Sequence, residues 1–386
     1  MTKPVFAVLA AAPGAVALVH GAWWTALAIA ALRRPVPSET GGGMRFTVMV
    51  PAHDEELLVG DCVRSLLAAP WEPRPEVLVV ADNCRDATSA VAADAGATVL
   101  ERTDALNRGK SYALDFAIDQ IRRRASQPDA VVVVDADSTV SDSFFAGLAH
   151  ELGGGAQVCQ AYYVVAGGDA PLTRLRRLAF MLVHWARPLG ASRLGLGVGL
   201  KGNGMAFRWE IAREGLGGQG LTEDADTTLA LAARGVAVAF APGARVSGFM
   251  AANYADAGVQ DQRWEGGRLA LMGKAVRVAA GALRRGDRRC AGAALEVAAP
   301  PLSVVAGLAV VGAAVSAVGA APAWLGAAAV ASVVAYAATG WTAARAGAQD
   351  LLALVQAPRF ILHKLRVYAA LAARRGPGSW ERTTRK

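Results

Sequence analysis

Apolar and polar positions follow three rhythms along this chain, and each rhythm predicts a different kind of element. Residues 5–32 are almost continuously apolar and stop at Arg33-Arg34. A helix crosses a bilayer in about 20 residues, so this run is long enough to span one. A cleaved signal peptide, with Lys3 as its basic start, is the competing reading. The length of the run and the double arginine directly after it favour a retained anchor stopped on the inner side. Residues 35–43, rich in Pro, Gly and Ser, read as a linker.

From residue 45 short buried-type runs alternate with amphipathic stretches. Strands are predicted at 46–50, 76–81, 98–101 and 130–134, and helices at 55–69, 86–95 and 110–125. Such alternation predicts an α/β domain with a mostly parallel, doubly wound sheet. Ligands of such sheets bind at the carboxyl ends of the strands. The polar segments 51–54, 82–86 and 135–138 fall there.

Beyond residue 141 the pattern is less regular. Residues 194–204 carry glycines at 195, 197, 199, 202 and 204. Residues 260–285 interleave apolar positions with Lys274, Arg277, Arg284 and Arg285, as expected of a helix on a membrane surface or of an amphipathic core helix. The apolar runs 297–320 and 323–344, split by Pro322, predict a transmembrane hairpin whose Ala and Gly content favours close packing. Residues 351–375 are apolar with basic residues on one side and read as interfacial. The expected organisation is an anchor (1–35), an α/β domain (44–255), an interfacial region (256–292), a hairpin (296–345) and a basic tail (346–386), with three crossings.

Composition agrees with bilayer contact: 54% of the 386 residues are hydrophobic and the formal net charge is +8. The basic residues crowd at 33–34, 284–289 and 359–386, beside the apolar runs, where the anionic cytoplasmic face of a membrane attracts them. Nothing in the chain resembles a nucleic-acid reader, so no nucleic acid is expected as a partner. The four cysteines (62, 84, 159 and 290) have neither paired nor metal-ligand spacing and read as reduced thiols, and the five histidines form no ligand cluster.

Candidate chemistry lies in short segments. Asp135 and Asp137, at i and i+2 in an extended segment after a run of valines, leave the same face and could jointly hold Mg2+ or Mn2+ beside a diphosphate. Asp82 at the second strand end could accept the imide proton of a uracil ring, although Asp82 or Asp86 could instead cap a helix. Arg108-Gly109-Lys110 offers cations and backbone donors to a phosphate at a helix start, without matching the Walker pattern. In Thr222-Glu223-Asp224, Thr222 could cap the following helix and Asp224 could serve as a general base, with Asp226 as a nearby alternative. Gln260, Arg263 and Trp264, at i, i+3 and i+4, share a helix face; Arg263 could bind a pyrophosphate and Trp264 stack on a sugar, or the pair could anchor an interface.

Taken in order, these segments resemble the membrane-type family-two glycosyltransferases, relatives of the cellulose, chitin and hyaluronan synthases. The matching pieces are residues 50–56, Ala81-Asp82-Asn83, Arg108-Gly109-Lys110, Asp135-Ala136-Asp137, Gly202-Asn203-Gly204, Thr222-Glu223-Asp224, and Gln260 with Arg263-Trp264. The resemblance implies a GT-A fold, a UDP-sugar donor and an Mg2+ or Mn2+ cofactor. Pro51, Ala52, Glu56, Asp82, Lys110 and Asp135 would hold the donor, Asp135 and Asp137 the metal, and Asp224 would be the base. Gly202, Gln260, Arg263 and Trp264 would line the acceptor side and hold the diphosphate. The implied reaction is a single in-line displacement with inversion onto a glycan or lipid-linked acceptor, in polysaccharide synthesis, by a multi-pass protein of a bacterial-type inner membrane with its catalytic domain cytoplasmic. Single-sugar addition to a lipid and an inactive sugar-nucleotide-binding scaffold are the alternatives. His53-Asp54 departs from the family's usual His-Asn, and three crossings are too few for a wide translocation channel in one chain.

Overall fold

The computed structural model describes residues 3–33, 42–168, 170–216, 218, 222–250 and 254–373. The linker expected at 35–43 and the end of the basic tail therefore lie largely outside the described residues. Eight strands form one sheet: β1 (Phe46–Ala52), β2 (Glu76–Asp82), β3 (Thr98–Arg102), β4 (Ala130–Val133), β5 (Ser138–Val140), β6 (Val158–Ala166), β7 (Met205–Arg208) and β8 (Val238–Phe249), in the order β3-β2-β1-β4-β7-β6-β8-β5. β3, β2, β1 and β4 are parallel, with Val48 opposite Val77 and Val132. β7 runs antiparallel to both β4 and β6, and β5 antiparallel to β8.

The two-residue period of the strands divides the core in two. Val48, Val50, Val77, Val79, Val132 and Val134 pack on one face against the helices Val59–Ala68 and Phe144–Gly153. Met49, Leu78, Val80, Val131 and Val133 pack on the other against Ala113, Leu114, Ala117, Ile118 and Ile121 of the helix Lys110–Arg122. Each such aliphatic side chain contributes about 1.5–3 kcal/mol relative to exposure. The second cluster continues without a break into Trp24, Leu27, Leu182, Leu189 and Tyr336, so the α/β layer sits directly on the apolar helices.

Those apolar helices are Lys3–Ala30, Leu302–Ala317 and Ala323–Ala344. Small residues let them meet: a Cβ on Gly312 would stand 2.6 Å from the Cα of Gly14. Among the described residues two helices, over 7–30 and 323–344, are long and apolar enough to cross a membrane. The first arm of the expected hairpin differs from the sequence reading. The run 297–320 is not one helix but the end of Arg288–Ala298 and then Leu302–Ala317, bent by 68°. Pro300 and Pro301 lie at the break; proline lacks the N–H that helix continuation needs, a signal that an apolar run conceals. Only if the bent pair is one span does the number rise to three.

The helix Tyr254–Arg284 buries one face and exposes apolar side chains on another. Ala275, Ala279 and Ala282 are buried against the helices Glu223–Ala233 and Arg288–Ala298, whereas Leu269, Met272, Val276 and Leu283 are exposed. The helix Ala357–Ala372 packs beside it. All four cysteines are free thiols.

Candidate active site

One cavity of about 960 Å³ is lined at one end by the carboxyl ends of β1, β2 and β4 and at the other by the apolar helices. Pro51, Ala52, His53 and Asp82 line the first end, Lys110, Asp135, Asp137, Gly202 and Asp224 the middle, and Leu302, Ala306, Val333 and Ala337 the far end. Residues from Pro51 to Lys364 are thus folded onto one space.

At the strand ends the backbone turns sharply. Asp54 and Asn83 both have positive φ (52° and 55°), a costly conformation for residues other than glycine. Side-chain bonds hold these turns: His53 Nδ1 lies 2.7 Å from the carbonyl of Asp82, and Asn83 Oδ1 accepts from the amide of Asp104 at 2.9 Å. The Asp82 carboxylate is buried and accepts from Arg102 Nη1 at 2.6 Å and Asn83 Nδ2 at 3.0 Å, both through Oδ1. Glu56 is different from its expected place. It does not line the cavity; its carboxylate accepts from the amide of Ala87 at 2.9 Å, and its amide donates to Asp86 at 3.2 Å. Glu56 thus braces the segment after β1 against the segment after β2.

Lys110 ties the middle together. Its Nζ donates to Asp135 Oδ1 at 2.6 Å and to the carbonyl of Gly202, and Glu223 Oε1 lies 3.6 Å away. Burial opposes its charge, but Asp135, then Glu223 and Asp224, more than offset this and hold the amine above its usual range. A Cβ on Gly202, whose φ is +78°, would stand 3.6 Å from Asp224 Oδ2, so Asp224 borders the same point. Asp226, the alternative base, bonds Lys274 Nζ and does not line the cavity.

The Gly202-Asn203-Gly204 turn is pinned to the aspartate pair. Asn203 Oδ1 accepts from the amide of Asp135 at 3.2 Å, its Nδ2 donates to Ser138 Oγ at 2.8 Å, and Ser138 Oγ donates to Asp137 Oδ1 at 3.1 Å. Gln160 Nε2 holds the carbonyl of Asn203 at 2.7 Å. Gly204 has φ +68°, and a Cβ there would meet Val246 Cγ1 at 2.7 Å and the Ala161 Cβ at 2.9 Å. Gly204→Ala is therefore expected to cost about 1–3 kcal/mol, measured as a lowered denaturant midpoint, because both the overpacking and the backbone strain oppose it.

Asp135 and Asp137 fit a hard divalent cation by donor chemistry: two carboxylates leave one strand end, both line the cavity, and both offer oxygen. Asp54, Cys84 and Asp86 also lie within 4.8 Å of one another, but the bonds from Asp54 Oδ1 to the amide of Arg85 and from Asp86 Oδ1 to Thr88 give this group a loop-closing role.

The Asp224 and Glu223 carboxyls are both held above their usual range. Burial is the main cause for each, and for Asp224 it outweighs the Ala225 amide and the charges of Lys110, Lys201 and Arg268. A base works in its deprotonated form. If Asp224 is that base, kcat/KM falls as pH drops through a value above the ordinary 3.8, which a pH–rate profile would locate.

Gln260 is buried and Trp264 half-buried, and both line the cavity; the side chain of Arg263 lies outside the described residues. Arg268, one turn beyond Trp264, lines it too. The same stretch is tied to the helix Ala357–Ala372 by Asp261 and Glu265, which also line the cavity, as does Lys364. Asp261 accepts from Lys364 Nζ at 3.1 Å and lies 3.1 Å from His363 Nε2, and Glu265 accepts from Lys364 at 2.8 Å and from the Tyr368 hydroxyl at 2.7 Å.

Sequence reasoning missed Lys201, Glu296, His184 and Arg187. Lys201 adjoins the glycine turn and could have been found by that position; its Nζ bonds Glu296, and Glu296 Oε2 accepts from the amide of Gly199 at 2.7 Å. His184 and Arg187 sit in apolar surroundings with no motif to mark them.

Comparison with known proteins bears on this site. A mannosyltransferase of Pyrobaculum calidifontis, solved in complex with GDP-Man and Mn2+, matches over 96% of this chain and 98% of its own, with 18% identity and a TM-score of 0.53, a likeness of fold. Glucosyl-3-phosphoglycerate synthase from Mycobacterium tuberculosis, solved with Mn2+, UDP and phosphoglyceric acid, matches over 59% of this chain and 80% of its own, at 21% identity and a TM-score of 0.40. No curated protein matches the chain by sequence. The model of the glycosyltransferase-like family 2 matches residues 44–267, the stretch that contains all eight strands and most of the cavity's polar residues. Matched over more than half its length, this chain of GT-A fold belongs to glycosyltransferase-like family 2.

Proposed function

We propose that this protein transfers a sugar, with inversion, from a UDP-sugar to a lipid-linked acceptor at the cytoplasmic face of a membrane. The observation that carries this reading is the continuity of one cavity from the carboxylates at the strand ends to the apolar crevice lined by Leu302, Ala306, Val333 and Ala337. A water-soluble acceptor has no use for such a crevice. The two long apolar helices and the exposed apolar face of Tyr254–Arg284 support membrane attachment.

In this reading the uracil sits between the ends of β1 and β2, beside Pro51, Ala52 and Asp82, whose Oδ1 bonds leave Oδ2 for the imide proton. Lys110 brings a positive charge to the diphosphate. Asp135 and Asp137 would hold Mg2+ or Mn2+, which supplies charge neutralisation to the departing diphosphate. Asp224 takes the proton of the acceptor hydroxyl as its oxygen bonds to the anomeric carbon, the bond from that carbon to the diphosphate breaks, and UDP leaves. Gln260 and Trp264 border the acceptor from the helix side, and Gly202 forms the wall opposite. If the product is extended into a polysaccharide, as in the synthases that the motifs resemble, the two or three candidate spans among the described residues call for an export or assembly partner.

A donor panel tests this directly: UDP and GDP release are measured for UDP- and GDP-sugars with Mg2+ or Mn2+ present. Release from at least one UDP-sugar, lost on chelation, is expected; turnover restricted to GDP-sugars would overturn the assignment of Asp82 to uracil.

A further inference from the structure

Arg187 is 5% exposed, yet among the described residues its Nη2 has no hydrogen-bond partner and no carboxylate lies within ion-pair distance, Glu296 acting on its charge only from farther off. The rest of the side chain is held firmly. Its guanidinium carbon lies 3.6 Å from the Trp24 ring centroid, Nε donates to the Tyr336 hydroxyl at 2.8 Å, and that hydroxyl donates to the carbonyl of Leu182 at 2.8 Å. A buried guanidinium N–H without a partner costs about 1–3 kcal/mol or more, so an anion there would relieve a real deficit. Two further groups line the same cavity: one buried nitrogen without a partner, and one guanidinium held only by backbone carbonyls among the described residues. His184 Nδ1 is buried without a partner, and Arg268 donates only to the carbonyls of Glu296 and Ala299, at 3.4 and 3.0 Å. Glu296 is already engaged by Lys201.

We infer that this wall is a binding site for a phosphate group of an amphiphile, with Arg187 and Arg268 as its cationic ligands. Its place in the cavity sets the rest of the ligand. The Arg187 side chain packs on Trp24 and Tyr336 of the apolar helices, and Arg268 follows Trp264 on the polar side, so the phosphate lies between a tail and a polar head. The inference rests on the proposed lipid-linked acceptor and gives it a chemical class: a lipid whose tail and acceptor hydroxyl are separated by phosphate. A neutral glycolipid would bring neither arginine an anionic ligand.

The test is binding without donor, so it can fail while transfer survives, and transfer can fail while binding survives. The full chain in a neutral detergent is titrated with decyl phosphate, decanol and inorganic phosphate, and binding is read from the rise in unfolding temperature. Decyl phosphate is expected to bind about tenfold or more tightly than decanol or inorganic phosphate, the gain of charge-assisted bonds added to a tail. Arg187→Lys and Arg268→Gln are each expected to reduce decyl phosphate binding about tenfold and leave decanol binding unchanged. Should Arg187→Lys not fold, Arg268→Gln alone decides. Equal binding of decyl phosphate and decanol, or undiminished decyl phosphate binding by the folded variants, overturns the inference. Inorganic phosphate binding as tightly as decyl phosphate would assign the wall to a free anion and overturn the lipid headgroup.

Discussion

Asp224→Asn protein is expected to lose about 10²–10⁴-fold in kcat, the usual worth of a positioned general base. The substitution is nearly isosteric, and an asparagine Oδ1 can still accept the Ala225 amide bond that Asp224 makes at 2.8 Å. Lys110 keeps its contacts with Asp135 and Glu223 and loses only the more distant charge of Asp224, so the donor side should stay in place. A fall in kcat with the donor KM little changed is the expected signature, because the lost interaction acts on the acceptor in the transition state. Glu223→Gln should behave differently: it removes a partner of Lys110 and should raise the donor KM. Turnover by Asp224→Asn close to the unsubstituted rate would remove the base assignment, and a larger kcat loss in Glu223→Gln would transfer that role to Glu223.

Asp137→Asn is the second large effect, expected at about a thousandfold in kcat, since neutralising a leaving diphosphate is worth several kcal/mol. Asp137 is 6% exposed and its Oδ1 accepts from Ser138, a bond an asparagine oxygen can keep. The fold is thus expected to survive. The specific readout is the Mn2+ concentration for half-maximal rate, which should rise at least about tenfold, because one of two anionic oxygen donors is gone. An unchanged metal requirement would mean that the cation, if any, binds elsewhere.

Half of the sheet was legible in the sequence chiefly because three of its four strands, β1, β2 and β4, are buried on both faces. The runs in β1, β2 and β4 are nearly all apolar and alternate with amphipathic helices, which only a parallel sheet accommodates readily. The other half was not. β6 and β8 mix buried and exposed positions, β8 contains Pro242 and Gly243, and the register between them shifts at Ala161 and Tyr162. Their pairing depends on the partner strand rather than on a local period.

The site divides in the same way. Asp82, Lys110, Asp135, Asp137, Gly202 and Asp224 could be named because their polar groups interrupt apolar runs at strand ends or helix starts, and the fold does bring them to one cavity. Glu56 was named with them, but whereas the adjacent Glu55 lines the cavity, Glu56 bonds Ala87 and Asp86 instead. Arg187 could not be found, since its meaning comes from Trp24 and Tyr336, each well over a hundred residues away in sequence. Pro300-Pro301 was visible but masked by the hydropathy of its surroundings.

The most direct measurement is the partition of labelled product. The full chain in phosphatidylcholine vesicles is incubated with its accepted radiolabelled UDP-sugar, Mg2+ and either a membrane lipid extract or soluble oligosaccharides, and label is counted in the organic and aqueous phases. A cavity that joins a diphosphate site to an apolar crevice predicts organic-phase label that appears only with the lipid extract and disappears in Asp224→Asn protein. Transfer to soluble oligosaccharides alone, with nothing entering the organic phase, would contradict it.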